Sequence, residues 1–153
     1  MHRRNMLTAA IASASAAFAT AMATKRADAA APNKAPDASK VVYHLSDADK
    51  AEFALGNIRN HYNGMGGPAN VTIALVVHGP ALKAFHLKAA NPEVTKRLDE
   101  MVKLGLSPAA CINTMRAQEV TLKDLLPGFT IADKGGVVRM AELQAQGYAY
   151  LRP

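Results

Sequence analysis

The sequence predicts an α/β fold, a three-layer sandwich with a mostly parallel five-stranded sheet and helices on both faces. Three observations carry that expectation. Strand-like and helix-like segments alternate from residue 40 to the end of the chain. Residues 71–77, Val-Thr-Ile-Ala-Leu-Val-Val, are apolar almost without a break, as in strands covered on both faces by helices. Glycine, proline and capping residues separate the segments at intervals suited to βα units.

Residues 40–45 are the first predicted strand, centred on Val41, Val42 and Tyr43. Ser46-Asp47-Ala48-Asp49 has the S-x-x-D spacing of a capping box. Ala51, Leu55, Ile58 and Tyr62 then recur at helical intervals on one face. Gly64 ends this helix, and Gly66-Gly67-Pro68 makes the turn. The second strand, residues 71–77, ends at His78-Gly79-Pro80, and a short helix with Leu82 and Phe85 follows. Asn91 is an N-cap with Pro92 at the first helical position. Val94, Leu98, Met101 and Val102 form the apolar face, and Gly105 closes the helix. The third strand covers residues 107–112 and contains Cys111. Thr121-Leu122-Lys123-Asp124 is a second capping box, for a short helix stopped by Pro127-Gly128. Residues 129–132 form the fourth strand. Gly135-Gly136 leads into a helix whose face is Val137, Met140, Ala141 and Gln144. Gly147 ends it, and residues 148–151 are the last strand. Right-handed crossovers place helices on both faces.

The chain has 153 residues and one cysteine, which fits one folded domain and excludes an internal disulfide or a C-x-x-C pair. A hydrophobic fraction of 50% excludes intrinsic disorder. The formal charge of +6, from 18 basic and 12 acidic residues, invites a nucleic-acid reading. Its location argues otherwise. Residues 1–29 read as a signal peptide of twin-arginine type: Arg3-Arg4, an Ala/Ser/Thr-rich stretch, Lys25-Arg26, then Ala27-Asp28-Ala29 at the cleavage site. An ordinary secretory signal is the alternative. Half the charge, +3, lies in this segment. The remaining charges are interspersed and contain one adjacent basic pair, Lys96-Arg97, so no nucleic-acid stripe is expected. Thr8, Ser13, Ser15 and Thr20 break the apolar stretch, so no stable membrane insertion is expected either. The expected location is periplasmic. Residues 30–39 read as a Pro/Ala linker and residues 40–153 as the domain.

Ligands of open α/β sheets bind beyond the carboxyl ends of strands. Leu45-Ser46, His78-Gly79 and Cys111-Ile112-Asn113-Thr114 fall there, with His44 one residue before the end of the first strand; His44, His78, Gly79, Asn113 and Arg116 are the candidate ligand-binding residues around Cys111. The direction of His44 depends on strand register. Cys111 is either a buried small hydrophobe or a reactive thiol whose pKa is lowered by nearby positive charge or helix amides. Arg116, five residues on, is the candidate charge. His78 either bonds a loop carbonyl or contacts a ligand. His61 reads as a helix-terminus residue and His86 as a surface helix residue. The histidines and Cys111 show no chelating spacing such as H-E-x-x-H, so no metal and no cofactor is expected. No G-x-S-x-G elbow and no phosphate loop occurs.

Five segments together resemble the DsrE/DsrF-like family, in particular its exported members. They are Val41-Val42-Tyr43-His44-Leu45, Asn57-Ile58-Arg59-Asn60-His61, Val76-Val77-His78-Gly79-Pro80, Cys111-Ile112-Asn113-Thr114-Met115-Arg116 and the ending Gly147-Tyr148-Ala149-Tyr150-Leu151-Arg152-Pro153. The resemblance implies a compact parallel α/β fold and a homo-oligomer, trimeric or hexameric. It is to a family that includes TusD-like sulfur-relay proteins, which carry a persulfide on a cysteine. It implies that Cys111 is that cysteine, and that the partners are sulfur donor and acceptor proteins or small thiols. On this reading the chain is a sulfur carrier or a sulfurtransferase, the two being indistinguishable in sequence. Export departs from the cytoplasmic relay. The alternative is a non-enzymatic periplasmic module that binds a small ligand or metal in the strand-end pocket.

Overall fold

Side-chain alternation along the strands and the registers between them place the candidate residues. The computed structural model of the chain describes residues 38–153. The predicted signal peptide and most of the linker lie outside the described residues. Strands β1 (Ser39–Leu45), β2 (Val71–Val77), β3 (Ser107–Cys111), β4 (Thr130–Ala132) and β5 (Ala149–Leu151) form one sheet in the order β4-β3-β2-β1-β5. Every pairing in this five-stranded sheet is parallel. The helices are α1 (Ala51–Gly64), α2 (Pro92–Lys103), α3 (Ile112–Ala117) and α4 (Gly136–Ala145). Short 3-10 segments occupy Ala48–Lys50, Gly79–Phe85 and Leu122–Asp124.

Alternate residues divide between two cores. Val41, Tyr43 and Leu45 of β1 join Ile73, Leu75 and Val77 of β2 against Leu55, Ile58, Leu98 and Met101 of α1 and α2. Val42, Ala74 and Val76 face the other way, against Met140 and Leu143 of α4. The larger core contains the fully buried Leu55, Ile58 and Phe85, each worth about 1.5–3 kcal/mol in apolar burial. Phe85 also meets Phe129 edge to face, with centroids 5.3 Å apart.

This division follows from one handedness of crossover. The steps β1 to β2 to β3 to β4 run in one direction across the sheet and leave their helices on one face. The return from β4 to β5 runs in the opposite direction and leaves α4 on the other. No helix among the described residues is long and apolar enough to cross a membrane.

Several local expectations hold. The Asn91 side chain accepts from the Glu93 amide at 2.8 Å, with Pro92 opening α2. The Thr121–Asp124 box is complete. The expected box at Ser46 does not form. Ser46 Oγ donates to Asp47 Oδ2 at 3.1 Å, and the chain enters α1 through a 3-10 turn without a side-chain cap. The third strand stops one residue short of the expected end, and Ile112 opens α3. That helix was missed because six residues carry too little periodicity to stand out, and burial of Thr114 and Met115 holds it in place. On α4 the expected face is rotated. Val137 is 69% exposed, while Gly136, Met140 and Leu143 are buried, at the i, i+4 and i+7 spacing of one helical stripe.

Candidate functional site

The connections after β3 and β4 leave on opposite sides. Met115 of α3 packs into the larger core and Met140 of α4 into the smaller one. The carboxyl end of β3 is therefore next to a topological switch point, the usual crevice of open α/β sheets. Cys111 is the last residue of β3 and the N-cap of α3.

Val77 pairs with Ala110, so His78 and Cys111 are the next residues on their strands. A Cβ on Gly136 would lie 3.3 Å from both the Cys111 and the His78 Cβ. Glycine thus lets the start of α4 approach the two side chains closely. Cys111 is 6% exposed. Burial pushes its thiol pKa up, but the amides of Thr114, Gly136 and Asn113 and the Thr114 hydroxyl favour the thiolate and outweigh it, so the value lies below that of an ordinary thiol. Gly79 turns the chain beside this site at φ +60°. Its amide donates to Thr114 Oγ1 at 2.9 Å, and its carbonyl accepts from Gln118 Nε2 at 2.9 Å.

The β1 register settles the direction of His44. It alternates with Val42, on the α4 side of the sheet, and its Nε2 lies 2.5 Å from Nε2 of His78. The ring centroids are 4.7 Å apart and the planes differ by 13°. Centroids that far apart with nitrogens this close require the nitrogens to point at each other. The rings therefore meet edge to edge in about one plane, not face to face. His44 Nδ1 lies 2.6 Å from the Tyr150 hydroxyl. If Tyr150 donates, His44 carries its proton on Nε2 and donates to His78, whose proton is then on Nδ1. Arg152 stands nearby, donating to Ser46 Oγ at 3.0 Å and Asp47 Oδ2 at 3.1 Å.

Both imidazoles have lowered pKa values. Burial is the main cause for each. The charge of Arg152 adds to it for both, and the neighbouring His78 adds to it for His44; Asp47 opposes the shift. Unfolded histidines titrate near about 6.5. Below that value the unfolded chain binds protons that the folded pair refuses. The pair's stability contribution is thus complete above about pH 6.5 and is lost as the pH falls through the depressed folded values. Urea midpoints measured from pH 7.5 to 5 should fall for the wild type and fall less for His44→Asn/His78→Asn. Parallel curves would remove the pair from the acid response.

The structure brings Cys111, His78, Gly79, His44 and the Asn113 amide to one sheet edge. Arg116 is exposed in the last turn of α3, and its side chain has no hydrogen bond or ion pair among the described residues. The thiolate is favoured by amides and a hydroxyl, and Arg116 is not among the causes. His86 is not a surface helix residue. It is half-buried, and its Nε2 is 2.8 Å from Gln118 Oε1. His61 lies in the last turn of α1, as expected, with Nδ1 3.0 Å from the Tyr43 hydroxyl. Gly136, Tyr150 and Arg152 were not identified as site residues from sequence, and Thr114 stood in the strand-end segment after Cys111 without a role. The segment 111–116 that contains Thr114 and the ending that contains Tyr150 and Arg152 carried a signal; Gly136 carried none. No group of three or more metal-ligating side chains occurs among the described residues.

Solved structures align with this architecture. A protein of unknown function from Methanobacterium thermoautotrophicum is 26% identical with a TM-score of 0.66, over 75% of this chain and 99% of its own. The chain shares its fold. The ychN protein of E. coli, at 18% identity and TM-score 0.59, covers 75% of this chain and 99% of its own. A conserved protein of unknown function from Bacteroides thetaiotaomicron, at 19% and 0.52, covers 75% of this chain and 95% of its own. No protein-family model and no curated protein matches the chain.

Proposed function

We propose that the chain is an exported sulfur-handling protein of the DsrE/DsrF-like, TusD-related kind, which carries or transfers sulfane sulfur as a persulfide on Cys111. The observation that carries this reading is the surroundings of the thiol. Three backbone amides and the Thr114 hydroxyl favour its anion at the end of β3, despite burial. A thiolate is the nucleophile that sulfur transfer needs. The shared fold is consistent with this reading.

In the proposed cycle the Cys111 thiolate attacks the outer sulfur of thiosulfate or a polysulfide. A Sγ–S bond forms, the donor's S–S bond breaks, and the leaving group departs with the bonding pair. An acceptor thiolate then takes the terminal sulfur and restores the Cys111 thiolate. The amides that favour the thiolate also suit the persulfide anion. His78, with Nε2 directed to His44, orients the loop beside the sulfur. The narrow exposure of Cys111 favours small donors over a docked protein thiol. Export to the periplasm and assembly into a trimer or hexamer belong to the same proposal.

Mass spectrometry of the protein after thiosulfate or polysulfide treatment tests it. One added sulfur on the Cys111 peptide, removed by dithiothreitol and absent in Cys111→Ser, is expected. No added sulfur on a thiol that iodoacetamide still alkylates would overturn the proposal.

A further inference from the structure

Tyr43 and His44 are successive residues of β1 and point to opposite faces of the sheet. Beside Tyr43, away from the Cys111 side, lies an open cavity of about 340 Å³. Tyr43, Asn57, His61, Leu151, Arg152 and Pro153 line it. None of these side chains is acidic, and they come from β1, α1 and the segment at and after β5.

The donor pattern is set by local chemistry. Burial raises the Tyr43 pKa, so the phenol keeps its proton and can donate to His61 Nδ1, 3.0 Å away. A neutral His61 accepting at Nδ1 carries its own proton on Nε2 and can donate there. Arg152 spends one terminal nitrogen, Nη2, on Ser46 and Asp47. Asp47 offsets part of the guanidinium charge, while Nε and Nη1 have no partner among the described residues. The Asn57 side-chain amide also has none among them. The cavity therefore gathers one cation, partly offset by Asp47, and two N–H donors, with the Asn57 carbonyl and the committed phenol oxygen as the side-chain acceptors.

We propose that this cavity binds a small oxyanion, held by the Arg152 guanidinium, His61 Nε2–H and the Asn57 amide. A planar fork and two further donors suit either a tetrahedral oxyanion or a carboxylate. The site shares Arg152 with the surroundings of the imidazole pair, but anion binding there does not rest on the sulfur-handling reading.

The test is titration of the protein with inorganic phosphate, followed through the side-chain nitrogen resonances of His61 and Arg152. Saturable one-to-one binding is expected, weakened about tenfold or more in Arg152→Gln, the loss of a charge-assisted bond. His61→Gln should weaken it as well, and Arg152→Lys should retain part of it. A parallel titration with acetate identifies the ligand geometry. Tighter phosphate binding assigns a tetrahedral oxyanion, and tighter acetate binding assigns a carboxylate. Arg152 is 53% exposed on the side chain, so its replacement leaves the core intact. Shifts that never saturate with either anion, or equal affinity in Arg152→Gln, would overturn the proposal.

Discussion

Gly136→Val should lower both the stability of the protein and the reactivity of its thiol. A Cβ at this position meets the Cβ atoms of Cys111 and His78 at 3.3 Å and Val76 Cγ1 at 3.5 Å. The first two neighbours belong to the ends of adjacent strands and cannot swing aside by changing rotamer. The start of α4 must retreat instead. Overpacking of this kind costs about 1–3 kcal/mol. The same retreat carries the Gly136 amide away from the sulfur. That amide is one of the groups holding the thiol below its ordinary pKa. Urea denaturation reads the first effect, and the pH profile of iodoacetamide alkylation reads the second. Gly136→Ala should show both in weaker form. A destabilised Gly136→Val with an unchanged alkylation profile would mean that the amide does not act on Cys111.

The sheet was legible because its evidence is local and repeated. Residues 71–77 are apolar but for Thr72, and Asn91-Pro92 marks a helix start by its own chemistry. The site was legible only in part. Each strand end could be read, so His78 and Cys111 were placed at one edge. The direction of His44 waited on the β1–β2 register, which no local signal specifies. Gly136 reads in sequence only as part of the Gly135-Gly136 lead into a helix, yet its role comes from the start of α4 lying against the ends of β2 and β3. Thr114 stood in the strand-end segment, but its bonds to Gly79 and the thiolate depend on α3, which six residues do not announce. Arg116 was favoured for its charge and sequence proximity, but the helix carries it to the surface. Arg152 lies near the imidazoles because β5 pairs with β1 across a long return. Sequence separation of 106 residues between His44 and Tyr150 offers no pattern to detect.

Thr114→Val tests how the thiolate is stabilised, because it removes one hydroxyl at nearly constant shape. Thr114 Oγ1 accepts from the Gly79 amide at 2.9 Å, and its hydroxyl also favours the Cys111 anion. Valine leaves the half-buried Gly79 amide without this partner, at a cost of about 1 kcal/mol, the low end for an unsatisfied group. It also removes a donor to the sulfur, so the thiol pKa rises and alkylation at pH 7 slows severalfold. The sign of the pH response follows. An unfolded cysteine titrates near about 8.5. Between the depressed folded value and that figure the unfolded chain holds a proton that the folded chain has released, so stability rises with pH across this window. The thiol's contribution is full above about pH 8.5 and is lost as the pH falls through the folded value. Thr114→Val narrows the window from below, so its stability should rise less than that of the wild type between pH 6.5 and 9. Thr114→Ser keeps the hydroxyl and should restore both the pH profile and the alkylation rate. Slow alkylation in Thr114→Ser would instead assign the effect to the lost methyl group and its packing.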